Sequence, residues 1–144
     1  MIEYSVTRVY DNLFIGGAPP GGDLLSQNKI DCVILTANDH QDASIYKDIE
    51  VILAGGWDSD HWPIPEEHLS KWKQAADIVV DRLSNGKKVL VTCMMGQNRS
   101  GLVTAMAMKK ILGNERAEEI VKHIQLYRKN ALNNKHYVRY LLEN

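Results

Sequence analysis

The chain has 144 residues, which suits one domain of ordinary size, and a single domain over residues 1–144 is the expected organisation. Hydrophobic residues make up 44% and charged residues 24%, a globular balance that excludes a disordered chain. A formal net charge of -1 provides no global basic field, so nucleic acid is not an expected partner.

Val6 to Val9 and Leu13 to Ile15 read as short extended segments around the turn Asp11-Asn12. Gly16, Gly17, Pro19, Pro20, Gly21 and Gly22 predict a loop without regular structure. Asp23 to Lys29 predicts a short helix, and Asp42 to Asp48 carries a weak helical pattern. Cys32-Val33-Ile34-Leu35 and Val51-Ile52-Leu53 are apolar runs of the kind that form buried strands. Gly55 to Pro65 is a loop rich in Trp, Asp, His and Pro. Pro65-Glu66-Glu67 then opens a helix, with acids near its positive end. Trp72, Ala75, Ala76, Val79 and Leu83 recur at helical spacing, and Asn85-Gly86 ends the helix. Val89-Leu90-Val91 is a third buried strand, leading through Thr92-Cys93 into a loop with Gly96. Helices follow over Ser100 to Leu112, Glu115 to Lys129 and Asn133 to Leu142. Strands alternating with helices predict an α/β fold: one compact domain whose twisted, mostly parallel sheet of about five strands is flanked by helices.

Two cysteines, at 32 and 93, and no signal-peptide pattern point to a reducing cytoplasm. No apolar run reaches bilayer-spanning length, so no membrane association is expected.

The segment Cys93-Met94-Met95-Gly96-Gln97-Asn98-Arg99-Ser100 carries the chemistry. It joins a buried strand to a helix, at the carboxyl end where open α/β sheets bind ligands. A tight loop there turns successive N–H groups inward as a nest for an anion, and the following helix adds its positive end. Gly96 permits a backbone conformation closed to other residues. Arg99 can make two parallel hydrogen bonds to phosphate oxygens. The same donors favour the nucleophilic thiolate form of Cys93. A buried structural thiol beside a helix cap would not account for Gly96, Arg99 and Ser100 together. Cys32, inside an apolar run with no basic neighbour in sequence, is read as core.

Cys93 to Ser100 resembles the signature loop of the cysteine-based protein tyrosine phosphatases, in particular the dual-specificity branch. Val9 to Gly16 resembles that family's opening strand pair, Lys29 to Ile34 its next strand, Lys88 to Val91 the strand before the Cys, and Ser100 to Val103 the segment after it. The resemblance implies a protein phosphatase acting through a phosphocysteine intermediate without metal or cofactor, with phosphorylated protein as substrate and a monomer as the working form. It implies Cys93 as nucleophile, Arg99 as phosphate clamp and Ser100 as the hydroxyl that helps the thiolate leave. Met94, Met95, Gly96, Gln97, Asn98 and Arg99 would bind the phosphate. Thr92 stands where the family usually has His, and Asn98 where a small hydroxyl residue is common.

Ester cleavage also needs a proton for the leaving oxygen. The family takes it from an Asp on the loop before the long helix, commonly six residues ahead of an apolar residue. Counting back from Ile64 gives Asp58, with Asp60, Glu66, Glu67 and His61 as the other candidates. Trp57 and Trp62 could wall the substrate entrance or anchor the core. No Lys stands between Cys93 and Arg99, which argues against highly anionic inositol phosphates. Met106 and Met108 read as core, the pairs Lys87-Lys88, Lys109-Lys110 and Arg128-Lys129 as solvated surface or helix C-terminal charges, and His136 to Leu142 as an amphipathic docking helix. Two rival functions stay open. An RNA 5′-triphosphatase-like enzyme shares this loop and fits Asn98-Arg99-Ser100-Gly101. A catalytically silent module that binds phosphorylated proteins would explain Thr92.

Overall fold

The structure, a computed structural model, describes residues 6–17, 22–37, 43–46 and 48–144. Strand β1 (Val6–Tyr10) turns at Asp11-Asn12 into β2 (Leu13–Gly17). Helix α1 (Gly22–Asn28) leads to β3 (Cys32–Leu35), and a single 3-10 turn at Ala43–Ile45 precedes β4 (Glu50–Leu53). Helix α2 (Glu66–Ser84), strand β5 (Val89–Cys93) and helices α3 (Arg99–Leu112), α4 (Ala117–Tyr127) and α5 (Lys135–Glu143) complete the chain. The five strands form one sheet in the order β1-β2-β5-β3-β4. Only the β1–β2 pair is antiparallel; β5 runs parallel to both β2 and β3, and β3 parallel to β4. The expected mostly parallel α/β sheet is therefore present.

Alternation along the strands explains the two cores. Leu13, Ile15, Ile34, Val89 and Val91 face Trp72 of α2, Leu102 of α3, Ile124 of α4 and Leu141 of α5. Phe14, Val33, Leu35 and Leu90 point the other way, onto Leu25 of α1 and Tyr46. Both faces of β3 and β5 are covered, which is why those strands read as unbroken apolar runs. Met106 and Met108 lie in the core, as expected.

Four expectations change. Gly16 and Gly17 belong to β2 and Gly22 opens α1, so only part of the glycine-rich stretch could be loop; Pro19, Pro20 and Gly21 lie outside the described residues. β4 is not buried. It is one of the sheet's two outer strands, with Leu53 59% exposed and Glu50 turned outward to Arg82 of α2 at 2.7 and 2.8 Å. The helical pattern over 42–48 reduces to the 3-10 turn, with Asp42 and Lys47 outside the described residues. Finally, two of the basic pairs each have one buried member, although Lys109-Lys110 do occupy the last turn of α3 and Lys110 and Lys129 are exposed. Lys109 is buried and donates to the Leu141 carbonyl at 2.6 Å, and Arg128 is buried beneath the loop after β5.

Candidate active site

β5 ends on Cys93 and α3 begins at Arg99, so residues 94–98 close a tight loop at the carboxyl end of the sheet. Gly96 has φ +67°, the left-handed region that favours glycine. A Cβ there would also lie 2.6 Å from the carbonyl carbon of Gly16. β2 thus brings its backbone against the loop, and position 96 has no room for a side chain.

Arg128 holds the loop from below. Its Nε donates to the Gly96 carbonyl at 2.7 Å, one terminal nitrogen donates to the Met95 carbonyl at 3.3 Å, and the other to Thr7 Oγ1 at 2.9 Å. N–H and C=O point opposite ways across a planar trans peptide. Drawing the carbonyls of Met95 and Gly96 onto Arg128 therefore turns the N–H groups of Gly96 and Gln97 away from it, the arrangement of an anion nest.

Cys93 is 2% exposed, and its Sγ lies 3.2 Å from the Oγ of fully buried Ser100 in the first turn of α3. Arg99 donates to the Gly56 carbonyl at 3.0 Å, while its Nε is buried without a hydrogen-bond partner among the described residues. Thr92 is fully buried, and its carbonyl accepts from both the N–H and the hydroxyl of Thr36, at 2.9 and 2.8 Å. The approach to Cys93 is thus braced from the residue that follows β3, although no His precedes it. Met94 is half-buried and Met95 is exposed.

The loop after β4 meets this structure at Asp58. One carboxylate oxygen accepts from Asn98 Nδ2 at 3.1 Å and the other from Asn134 Nδ2 at 2.9 Å. Asp60 instead points to solvent, 3.6 Å from equally exposed His61, and Glu66 and Glu67 are exposed at the start of α2. Of the proton-donor candidates, Asp58 is the one bonded to the loop after β5. An open cleft of about 730 Å3 lies beside it, lined by Asp60, Asn98, Asn134, Lys135 and His136. Trp57 is 57% exposed, so it is not a core anchor. Trp62 packs against the core, with the Arg139 guanidinium 4.0 Å from its ring centroid.

Three contributors had no local signal in the sequence. Arg128, Gly16 and Thr36 act on the loop across the fold, and nothing near them in sequence marks that role. Asn134 had one. It precedes a helix, and its side chain accepts from the N–H of His136 at 3.0 Å as an N-cap. Cys32 is 1% exposed, and burial, reinforced by Glu50, pushes its thiol up to about 12, which keeps it protonated and inert. Among the described residues no cluster of three or more His, Cys, Asp or Glu side chains could hold a metal ion, and no helix is long and apolar enough to cross a membrane.

The profile described as "Dual specificity phosphatase, catalytic domain" matches residues 13–144. Among curated proteins none matches the chain by sequence. Solved structures are similar in fold. DUSP15 superposes with a TM-score of 0.81 at 21% identity, covering 96% of this chain and 85% of that one. Human DUSP28 gives 0.77 at 16% identity, covering 96% and 93%. PTPMT1, in complex with PI(5)P, gives 0.78 at 17% identity, covering 96% and 92%. With the profile spanning nearly the whole fold, the chain belongs to the dual-specificity phosphatases, cysteine-dependent hydrolases of the protein-phosphatase type.

Proposed function

We propose that the protein hydrolyses phosphotyrosine, phosphoserine and phosphothreonine esters through a phosphocysteine intermediate. The observation that carries this reading is the 3.2 Å approach of Cys93 Sγ to Ser100 Oγ, at the base of a loop whose carbonyls are drawn onto Arg128. The Cys93 thiolate attacks phosphorus, and the S–P bond forms as the ester P–O bond breaks. Asp58 gives its proton to the departing oxygen. Arg99 and the N–H groups of Met94 to Asn98 bind the equatorial oxygens, where charge is stabilised in the transition state. Asp58, now ionised, then takes a proton from water as that water attacks phosphorus. The Ser100 hydroxyl donates to the departing sulfur, which restores the thiolate. The absence of Lys between Cys93 and Arg99 favours phosphoproteins over inositol phosphates as substrates.

The test uses para-nitrophenyl phosphate, phosphopeptides and triphosphate-ended RNA with the parent and Cys93→Ser. The parent should turn over the aryl phosphate and the phosphopeptides, and Cys93→Ser should fall to background. An inactive parent that still binds phosphopeptides would make the protein a silent binding module. Release of phosphate from the RNA alone would make it an RNA phosphohydrolase.

A further inference from the structure

We infer that Asn98, with Asn134, is a positioning residue that ties the carboxyl group of Asp58 to the phosphate loop. This rests on the phosphatase reading above, in which Asp58 delivers the proton.

An Asn at the start of a helix ordinarily caps it by accepting a backbone N–H. Asn98 occupies that position on α3, yet its side chain makes no capping bond and its own backbone is already helical, at φ -96° and ψ -58°. The amide is used elsewhere. Nδ2 donates to Asp58 Oδ2 at 3.1 Å and to Asn133 Oδ1 at 2.7 Å, and Oδ1 accepts the N–H of Asn134 at 2.8 Å. Both hydrogens and the oxygen are engaged, and the side chain is buried. A flipped amide would set oxygen against the Asp58 carboxylate and the Asn133 carbonyl, so these partners fix its orientation.

Asn134 holds the other half of the carboxylate. Its Nδ2 donates to Asp58 Oδ1 at 2.9 Å and to the Ser59 carbonyl at 2.7 Å. Each oxygen of Asp58 is therefore held by a neutral amide, and one of those amides sits on the residue next to Arg99. The donors orient the carboxyl group without pairing it with a cation. A shift of about 1 Å in a reacting group can cost on the order of a hundredfold in rate, so this tie bears directly on proton delivery.

The experiment compares kcat on phenyl phosphate, a poor leaving group, with kcat on a fluorinated coumarin phosphate, a good one that needs little protonation. Asn98→Ala and the isosteric Asn98→Asp should lose at least about 10-fold more on phenyl phosphate than on the coumarin ester, the selective pattern of Asp58→Asn. In the Asp58→Asn background, Asn98→Ala should add less than about 3-fold on phenyl phosphate, because the two act as a unit. Asn134→Ala leaves the loop sequence intact and should show the same selectivity should the Asn98 variants fail to fold. Equal losses on both substrates, or full additivity with Asp58→Asn, would overturn the inference while leaving the phosphatase reading in place. A parent without turnover on either ester would sink that reading and this inference with it.

Discussion

Arg128 shows how one buried charge can set the shape of a loop it does not belong to. Its guanidinium satisfies two carbonyls that the tight turn directs away from the nest, together with the Thr7 hydroxyl. Replacing it with Met keeps the bulk but leaves those carbonyls buried and unpaired, at about 1–3 kcal/mol each. Arg128→Met should therefore lower stability by about 2–6 kcal/mol in urea denaturation and lower kcat/KM on an aryl phosphate by about a hundredfold. Arg128→Lys retains a cation without the planar fork, and should fall between the two. Full activity in Arg128→Met would show that the loop holds its own shape.

At the scale of elements, α5 does more than dock an apolar stripe. Tyr137 is fully buried, meets Trp72 edge-on with ring centroids 5.8 Å apart, and carries its hydroxyl into the loop of Asp58. That hydroxyl donates to the Trp57 carbonyl at 3.2 Å and accepts from the Ser59 N–H at 3.4 Å, so it brackets Asp58 on both sides. Burial, and then the nearby charge of Asp58, raises the phenol well above its ordinary value. It stays protonated wherever the fold is stable, and its donated hydrogen bond does not vary with pH through neutrality. Tyr137→Phe should cost about 1 kcal/mol of stability, read as a lower urea midpoint at unchanged slope. An unchanged midpoint would mean that packing alone fixes this loop.

Over the whole molecule, what could be read from the sequence was what lies close together along it. β3 and β5 stood out because burial on both faces writes an unbroken apolar run, and the loop after β5 because its groups sit within eight consecutive residues, Cys93 to Ser100. Asp58 was singled out only through the resembled family's spacing to Ile64, and the structure bonds it to Asn98. β4 misled because an apolar run does not reveal whether a strand lies inside a sheet or at its margin, which depends on strand order. Arg128 and Lys109 misled because paired basic residues look solvated until a carbonyl from a distant segment meets them. Gly16 looked like loop because glycine is common in loops, and its place in β2 is set only by pairing with β5. Strand register also bears on oxidative chemistry. Cys32 stands opposite Val89, at the far end of β5 from Cys93. Four residues of strand separate those levels, about 13 Å at roughly 3.3 Å each, whereas a disulfide needs Cα atoms within about 7 Å. Peroxide that oxidises Cys93 to a sulfenic acid thus finds no resolving thiol at Cys32, and recovery depends on an outside thiol such as glutathione. Activity regained after peroxide should rise with added glutathione and be the same in Cys32→Ala as in the parent; a loss of recovery in Cys32→Ala would mean that the sheet opens far enough for the two sulfurs to meet.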